Sequence, residues 1–479
     1  MKTNMMRLAR LLNLLILICN SACAKGPPEV PEYVKAIVDK TEALGTNGYP
    51  ISFWNYNFLW IKDNFDAMNE QAVKEWADAG ITVAQGPRFQ PDQPEQVKRV
   101  HQLLDWCEKY RIKLIVNDSR ASYPDDVNTG KATWEDYDKR AKDVIAEFGN
   151  HPALFGFHVG DEPNAAMKDT FFGTLHRLKQ LAPNLHPYAN LLPYWEGMDK
   201  AAGANSWPEY LDEYAKKATP DIVCYDCYRQ MEPGQEGVDI YYNNLRLNRE
   251  AMIRNGIPFW NTPLCVGHYQ YRHPTRDELR WQFHTSIAFG AKGISWFFWY
   301  HPYPEANYHN SPYDDFFNKT QTYYDLYDIQ KRFQKRYGKV INKLVTTRVT
   351  FSGTKPLGGC KEFTPNGLVA AVGGGPILVG EFVDPEGKRY VMLVNLKMEG
   401  SSRMQVTFTG KDARYFSYSW VDGSEIEGRP GETSLESMSE DKSSPIGPML
   451  DHYVYPAQMV LYRVDSESAR NEPIPGKLE

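Results

Sequence analysis

Between about residue 47 and residue 345 the chain alternates short apolar runs with amphipathic stretches, eight of each, and nothing else in it restricts the fold so strongly. The apolar runs are Ile51–Trp54, Ile81–Gln85, Lys113–Asn117, Leu154–Val159, Pro187–Asn190, Asp221–Tyr225, Pro258–Asn261 and Gly293–Trp299. They have the length of strands and favour β-branched and aromatic residues. The stretches between them carry apolar residues at helical spacing: Asn69–Ala79, Pro94–Tyr110, Trp134–Phe148, Ala166–Leu181, Pro208–Ala218, Asp239–Asn255 and Thr275–Phe289, with Thr320–Leu344 closing the series. A strand joined to the next through a helix must run parallel to it, because the helix carries the chain back to the starting end. Eight such units predict an α/β fold, a (β/α)8 TIM barrel over residues 25–345. The sequence shows no internal repeat.

After Leu344 the period shortens to two. Val349–Ser352, Leu368–Val372, Ile377–Val383, Arg389–Val394, Met404–Phe408, Tyr415–Trp420 and Met459–Val464 are short runs separated by turns such as Asp384-Pro-Glu-Gly387 and Val421-Asp-Gly423. They predict a C-terminal all-β sandwich over residues 346–465. Residues 466–479 are polar and are expected to form a disordered tail.

The first 24 residues read as an export signal: Lys2, Arg7 and Arg10 precede the apolar run Leu11–Ile18, and Ala22-Cys-Ala24 fits a cleavage site. Cys23 also offers a lipidation site, with Asn20 where a lipobox would carry Leu, so a lipid anchor to an outer membrane is the alternative to release. Either way the mature protein is expected outside the cytoplasm, in the periplasm, on the outer membrane or in the medium. Its five remaining cysteines are odd in number and widely spaced, which is no disulfide framework. Cys224-x-x-Cys227 lacks a second pair and lies in a strand, where its members face opposite sides. With a net charge of −6 and no basic run, nucleic acid is excluded as a partner. His268, His273 and His301 do not have the spacing of a metal site, so neither metal nor cofactor is expected. No protein partner is evident.

Barrel chemistry is built at the C-terminal ends of the strands. There the sequence offers Trp54 and Asn55, Arg88, Asp118, the pair Asp161-Glu162, Asp226 with Tyr228, Trp260 with Asn261, and Trp296, Trp299 and Tyr300. This rim is acidic, amide-rich and aromatic, with no phosphate loop. Aromatic rings suit the flat faces of sugars, although barrel filling is the competing role for Trp54, Trp260, Trp296 and Trp299. The carboxylates stand out, because charges at a strand tip lose hydration unless something uses them. Two adjacent carboxyls also push each other's pKa apart, so one can stay protonated near neutral pH and act as an acid. Competing structural roles are a helix cap for Asp161, a salt bridge to Arg88 or Arg229 for Asp226, a loop bond before Arg120 for Asp118, and core packing for His158. In a strand, Cys224, Asp226 and Tyr228 share a face, so Asp226 and Tyr228 can enter the lumen together.

Strand four, ending Gly160-Asp-Glu-Pro163, resembles the Asn-Glu-Pro acid/base motif of the large clan of retaining (β/α)8 glycoside hydrolases. The resemblance implies Glu162 as general acid/base and a glycan as substrate. Two positions depart from it: Asp161 replaces the Asn, and strand seven, Phe259-Trp-Asn-Thr-Pro-Leu264, lacks the clan's nucleophilic Glu. Adjacent Asp-Glu is similar to the hexosaminidases that use the substrate's own 2-acetamido oxygen as nucleophile, the β-N-acetylgalactosaminidases in particular. That likeness implies that Asp161 orients the acetamide and Tyr228 donates to its oxygen. Two alternatives remain open. Glu162 can act with Asp226 or Asp118, inverting if the carboxyls stand roughly 6.5–9.5 Å apart. The chain can also be a carbohydrate-binding protein on a barrel that has lost activity.

Overall fold

The computed structural model describes residues 28–234, 236–300, 308–428 and 449–476; the leader over residues 1–24 and His301 lie outside them. The eight parallel strands are β1 (Ile51–Phe53), β2 (Val83–Arg88), β3 (Lys113–Asn117), β4 (Leu154–Asp161), β5 (Tyr188–Leu191), β6 (Val223–Asp226), β7 (Phe259–Thr262) and β8 (Gly293–Trp296). Their hydrogen-bonded order is β1-β8-β7-β6-β5-β4-β3-β2. Thr82 closes the ring, its N–H donating to Ile51 O at 2.9 Å while its Oγ1 accepts from the Ile51 N–H at 2.9 Å. The barrel predicted from the alternation is the barrel observed.

The helices start where their sequences provide caps. Thr133 with Asp136, and Thr275 with Glu278, form reciprocal capping boxes for Trp134–Phe148 and Arg276–Ala288. β8 is shorter than its apolar run because the chain leaves the ladder at Trp296, yet Phe297–Tyr300 stay buried over β1. Their hydrophobicity reflects burial under a loop. Inside the barrel, Trp260 packs against Phe155 and Tyr188, at 5.8 and 6.3 Å between ring centroids. Gly293 makes room for it, since a Cβ there would come within 2.5 Å of the indole.

The C-terminal region holds a seven-stranded and a three-stranded sheet, a sandwich as predicted. Ile377–Val383 is buried along its whole length, on both faces. Ile377 and Val379 join Val391, Leu393, Val406 and Phe408 in the sandwich core. Leu378 and Phe382 instead belong to the apolar cluster shared with the barrel helices. The sandwich therefore braces the barrel through the helix Arg276–Ala288, which touches Ile377–Val383 and its neighbour Arg389–Asn395. The tail corrects its expectation. Ser466 caps a helix over Glu467–Asn471, and Glu472 accepts a bond from the Gly367 N–H at 2.7 Å, so this polar segment is tied down by long-range partners.

Candidate active site

The C-terminal ends of β4, β5 and β6 bring three carboxyls together. Asp161 ends β4, Glu162 follows it, and Asp226 ends β6. Asn190, on β5 between them, donates to Asp161 Oδ1 at 3.0 Å and to Asp226 Oδ1 at 3.2 Å. Thr262, at the tip of β7, donates to Asn190 Oδ1 at 3.3 Å and fixes the amide's orientation. Beneath this layer Cys224 Sγ lies 3.2 Å from the Tyr188 hydroxyl and 3.3 Å from Thr262 Oγ1. Polar contacts thus run unbroken from the lumen to the mouth.

A bulge in β4 aims the dyad. His158 pairs with Tyr188 and Gly160 with Ala189, two residues of β4 against one of β5. Without it, His158 and Asp161 would point to opposite faces, being an odd number apart. With it, both face the lumen: His158 lies against Trp54 and Tyr188, and Asp161 meets Asn190. Glu162 has φ +44°, a left-handed conformation that non-glycine residues seldom adopt. Its N–H donates to Asn190 O at 2.9 Å, which holds it there.

Water reaches Asp161 and Glu162, but the crowding protein removes enough hydration to disfavour their charged forms. Burial raises the Asp161 pKa to about 6, against opposing effects of the Asn190 bond and the Arg88 charge. Burial, then the Asp161 charge, raises Glu162 to about 7, while a hydrogen bond with Asp226 acts the other way. Asp226 is pushed well above the usual carboxylate range by burial and by both neighbouring carboxyls. Glu162 and Asp226 act on each other's protonation, so they titrate as a pair. The Tyr228 hydroxyl favours the charged form of Asp226, and its ring stacks on Phe297 at 5.0 Å. No lysine or arginine among the described residues forms an ion pair with the three carboxyls. Arg88 acts on Asp161 only through space.

Comparison with solved structures bears on the fold. One glycoside hydrolase superposes with a TM-score of 0.54 over 92% of this chain and 97% of its own, at 11% identity. A family 5 glycoside hydrolase from Bacteroides vulgatus superposes with a TM-score of 0.50 over 88% and 90%, also at 11% identity. The shared fold is one also found in these glycoside hydrolases. At this identity the likeness is one of fold alone. No protein-family model matches the chain, and no curated protein matches it in sequence.

Of the residues picked out from the sequence, the mouth collects Asp161, Glu162, Asp226, Tyr228 and Arg88. Trp54 lies just beneath it, edge-on to His158. The others correct the reading. Asn55 is buried, donating from its backbone N–H to Gln85 Oε1 and from Nδ2 to Gln85 O, so it holds a loop together. Asp118 is 0% exposed and locked to Arg120, which rules it out as the second carboxyl. Trp260 is 0% exposed and plugs the barrel. Asn261 points outward and donates to Ser286 Oγ of the helix Arg276–Ala288 at 2.8 Å. Trp296 stacks on Phe283 of that helix, and Trp299 stacks on Phe53. Tyr300 accepts from Trp76 Nε1 at 2.6 Å, away from the mouth. Asn190, Thr262, Tyr56 and Trp60 were missed. Tyr56 feels the charges of Asp161 and Asp226, which with burial raise its pKa. Parity along β5 and β7 would have put Asn190 and Thr262 on the lumen face.

Proposed function

We propose that this protein is a glycoside hydrolase in which Glu162 protonates the departing glycosidic oxygen. The observation that carries the proposal is the group of three carboxyls at the barrel mouth, without an ion pair among the described residues and with raised pKa values. Such a group costs stability, and its value is that one carboxyl stays protonated near neutral pH, as a general acid must. The strained φ of Glu162 belongs to the same arrangement.

The finer reading is cleavage of a 2-acetamido sugar by substrate assistance. Thr262 stands at the tip of β7, where an enzyme carboxylate would attack, so the nucleophile must come from elsewhere. The substrate's acetamide oxygen supplies it, and Asp161, held by Asn190, orients and charge-stabilises the acetamide. Tyr228, beside Asp226, donates to the acetamide oxygen in this scheme. A second reading pairs Glu162 with Asp226, the buried carboxyl at the tip of β6, as acid and nucleophile of a double displacement. In both readings the protein acts on glycans outside the cytoplasm.

Aryl glycosides with and without a 2-acetamido group separate the two. Release only from 2-acetamido sugars, abolished in Glu162→Gln, is the expected result. Cleavage of 2-hydroxy sugars with a trapped glycosyl-enzyme on Asp226 would replace the first reading by the second. No release from any glycoside, with glycan binding retained, would leave a binding protein.

A further inference from the structure

Beside the three carboxyls, on the β2–β3–β4 side of the mouth, lies a pocket of about 300 Å³. Its wall includes Trp60, Arg88, Asn117, Ser119, His158 and Gly160, the residue before Asp161. That volume is at the lower end for small-molecule sites. Arg88 and Asn117 are register partners on β2 and β3, so their side chains leave the sheet on one face. Neither side chain has a hydrogen-bond partner among the described residues, and Arg88 has no ion pair.

That is unusual around this rim. Arg120 binds Asp118 and Glu147, Arg140 binds Asp126, and Arg177 binds Asp138. A guanidinium carries five donors in a planar fork suited to an oxyanion, and that of Arg88 is exposed to water at the pocket wall, open to an incoming ligand. A second group points the same way. His158 is 3% exposed, and its Nε2 is buried with no hydrogen-bond partner. Trp60, 48% exposed, stands at the rim stacked on Phe58 and offers a flat face to a sugar ring.

We propose that this pocket is the recognition subsite for an anionic substituent, a carboxylate or sulfate ester, on the glycan held at Glu162. Arg88 grips the oxyanion through its fork, Asn117 Nδ2 and the Ser119 hydroxyl add donors, and Trp60 lies under the ring. Asp161 borders the pocket through Gly160, so the substituent turns away from it toward Arg88. The proposal rests on the glycosidase reading and names the class of glycan it takes.

Two matched substrate pairs test it: an aryl N-acetyl-β-hexosaminide with its sulfate ester, and an aryl β-glucoside with the aryl β-glucuronide. We expect one charged member to exceed its neutral partner in kcat/KM by about tenfold or more, the scale of one charge-assisted hydrogen-bonded contact. The pair that shows the preference identifies sulfate or carboxylate. In Arg88→Gln the ratio should fall towards one, mainly through KM, and Arg88→Lys should restore only part of it. Equal rates within both pairs, or a preference that survives in Arg88→Gln, would overturn the proposal. If no glycoside is cleaved, the glycosidase reading fails on its own. Calorimetric titration of glucuronate and of sulfated N-acetylhexosamine then still decides: binding lost in Arg88→Gln supports the subsite, and binding unchanged or absent overturns it.

Discussion

One aspartate follows strand three and another ends strand four, and the two are opposites. Asp118, after β3, is fully buried and satisfied: Arg120 donates to both its oxygens, and the Arg120 N–H bonds Oδ1 at 2.8 Å. Asp161, at the end of β4, meets a neutral amide, two other carboxyls and an arginine that acts only through space. Neighbouring strand ends thus hold one aspartate paired with an arginine and one whose pKa burial raises to about 6. Partners, rather than residue type or place on the rim, divide the structural acid from the candidate chemical one.

Substitutions at these acids test that contrast. Glu162→Gln should have the largest effect, lowering kcat/KM on aryl glycosides with poor leaving groups by about 10²–10⁴-fold, the range for a general acid. Asp118→Ala should act on folding instead, costing about 3 kcal/mol in denaturant unfolding because Arg120 loses its buried partner. The folded fraction of that variant should keep its turnover per molecule; a selective loss of kcat would erase the contrast. Asp161→Asn should lower turnover of 2-acetamido substrates by roughly a hundredfold with little change in Tm, as removal of one positioned electrostatic group does.

The smallest effect is one of pH. Glu162 has a folded pKa near 7, above its unfolded value, so the folded state binds more protons across that interval. Its contribution to stability is therefore full below the unfolded pKa and lost as pH rises through about 7. Glu162→Gln should accordingly raise Tm at pH 8 and leave it unchanged at pH 4, measured by calorimetry. A fall in Tm at pH 8 would mean that Glu162 is stabilised as an anion.

The barrel was legible because eight switches between two periods leave few other folds. Asp226 and Tyr228 were legible because two residues along a strand share a face. Asp161 was legible as a strand-tip acid, but its sharing of the lumen with His158 was not, since only a bulge that no residue announces puts both there. The aromatic residues misled for a related reason. A tryptophan that fills a barrel and one that lies under a sugar have the same chemistry, and Trp260, Trp296 and Trp299 are all of the first kind. Trp60, exposed beyond β1, sits in no strand pattern that would have marked it. The tail was misread because its partners, Thr409, Gly367 and Arg389, lie far away in sequence.

The central claim is that Glu162 delivers the proton, and leaving-group dependence tests it most directly. Across aryl glycosides of rising phenol pKa, wild-type kcat/KM should stay nearly flat, because protonation compensates for a poor leaving group. In Glu162→Gln it should fall steeply with phenol pKa and approach wild type only for the most acidic phenols. A uniform loss across the series, parallel to wild type, would contradict the account and assign Glu162 a positioning role.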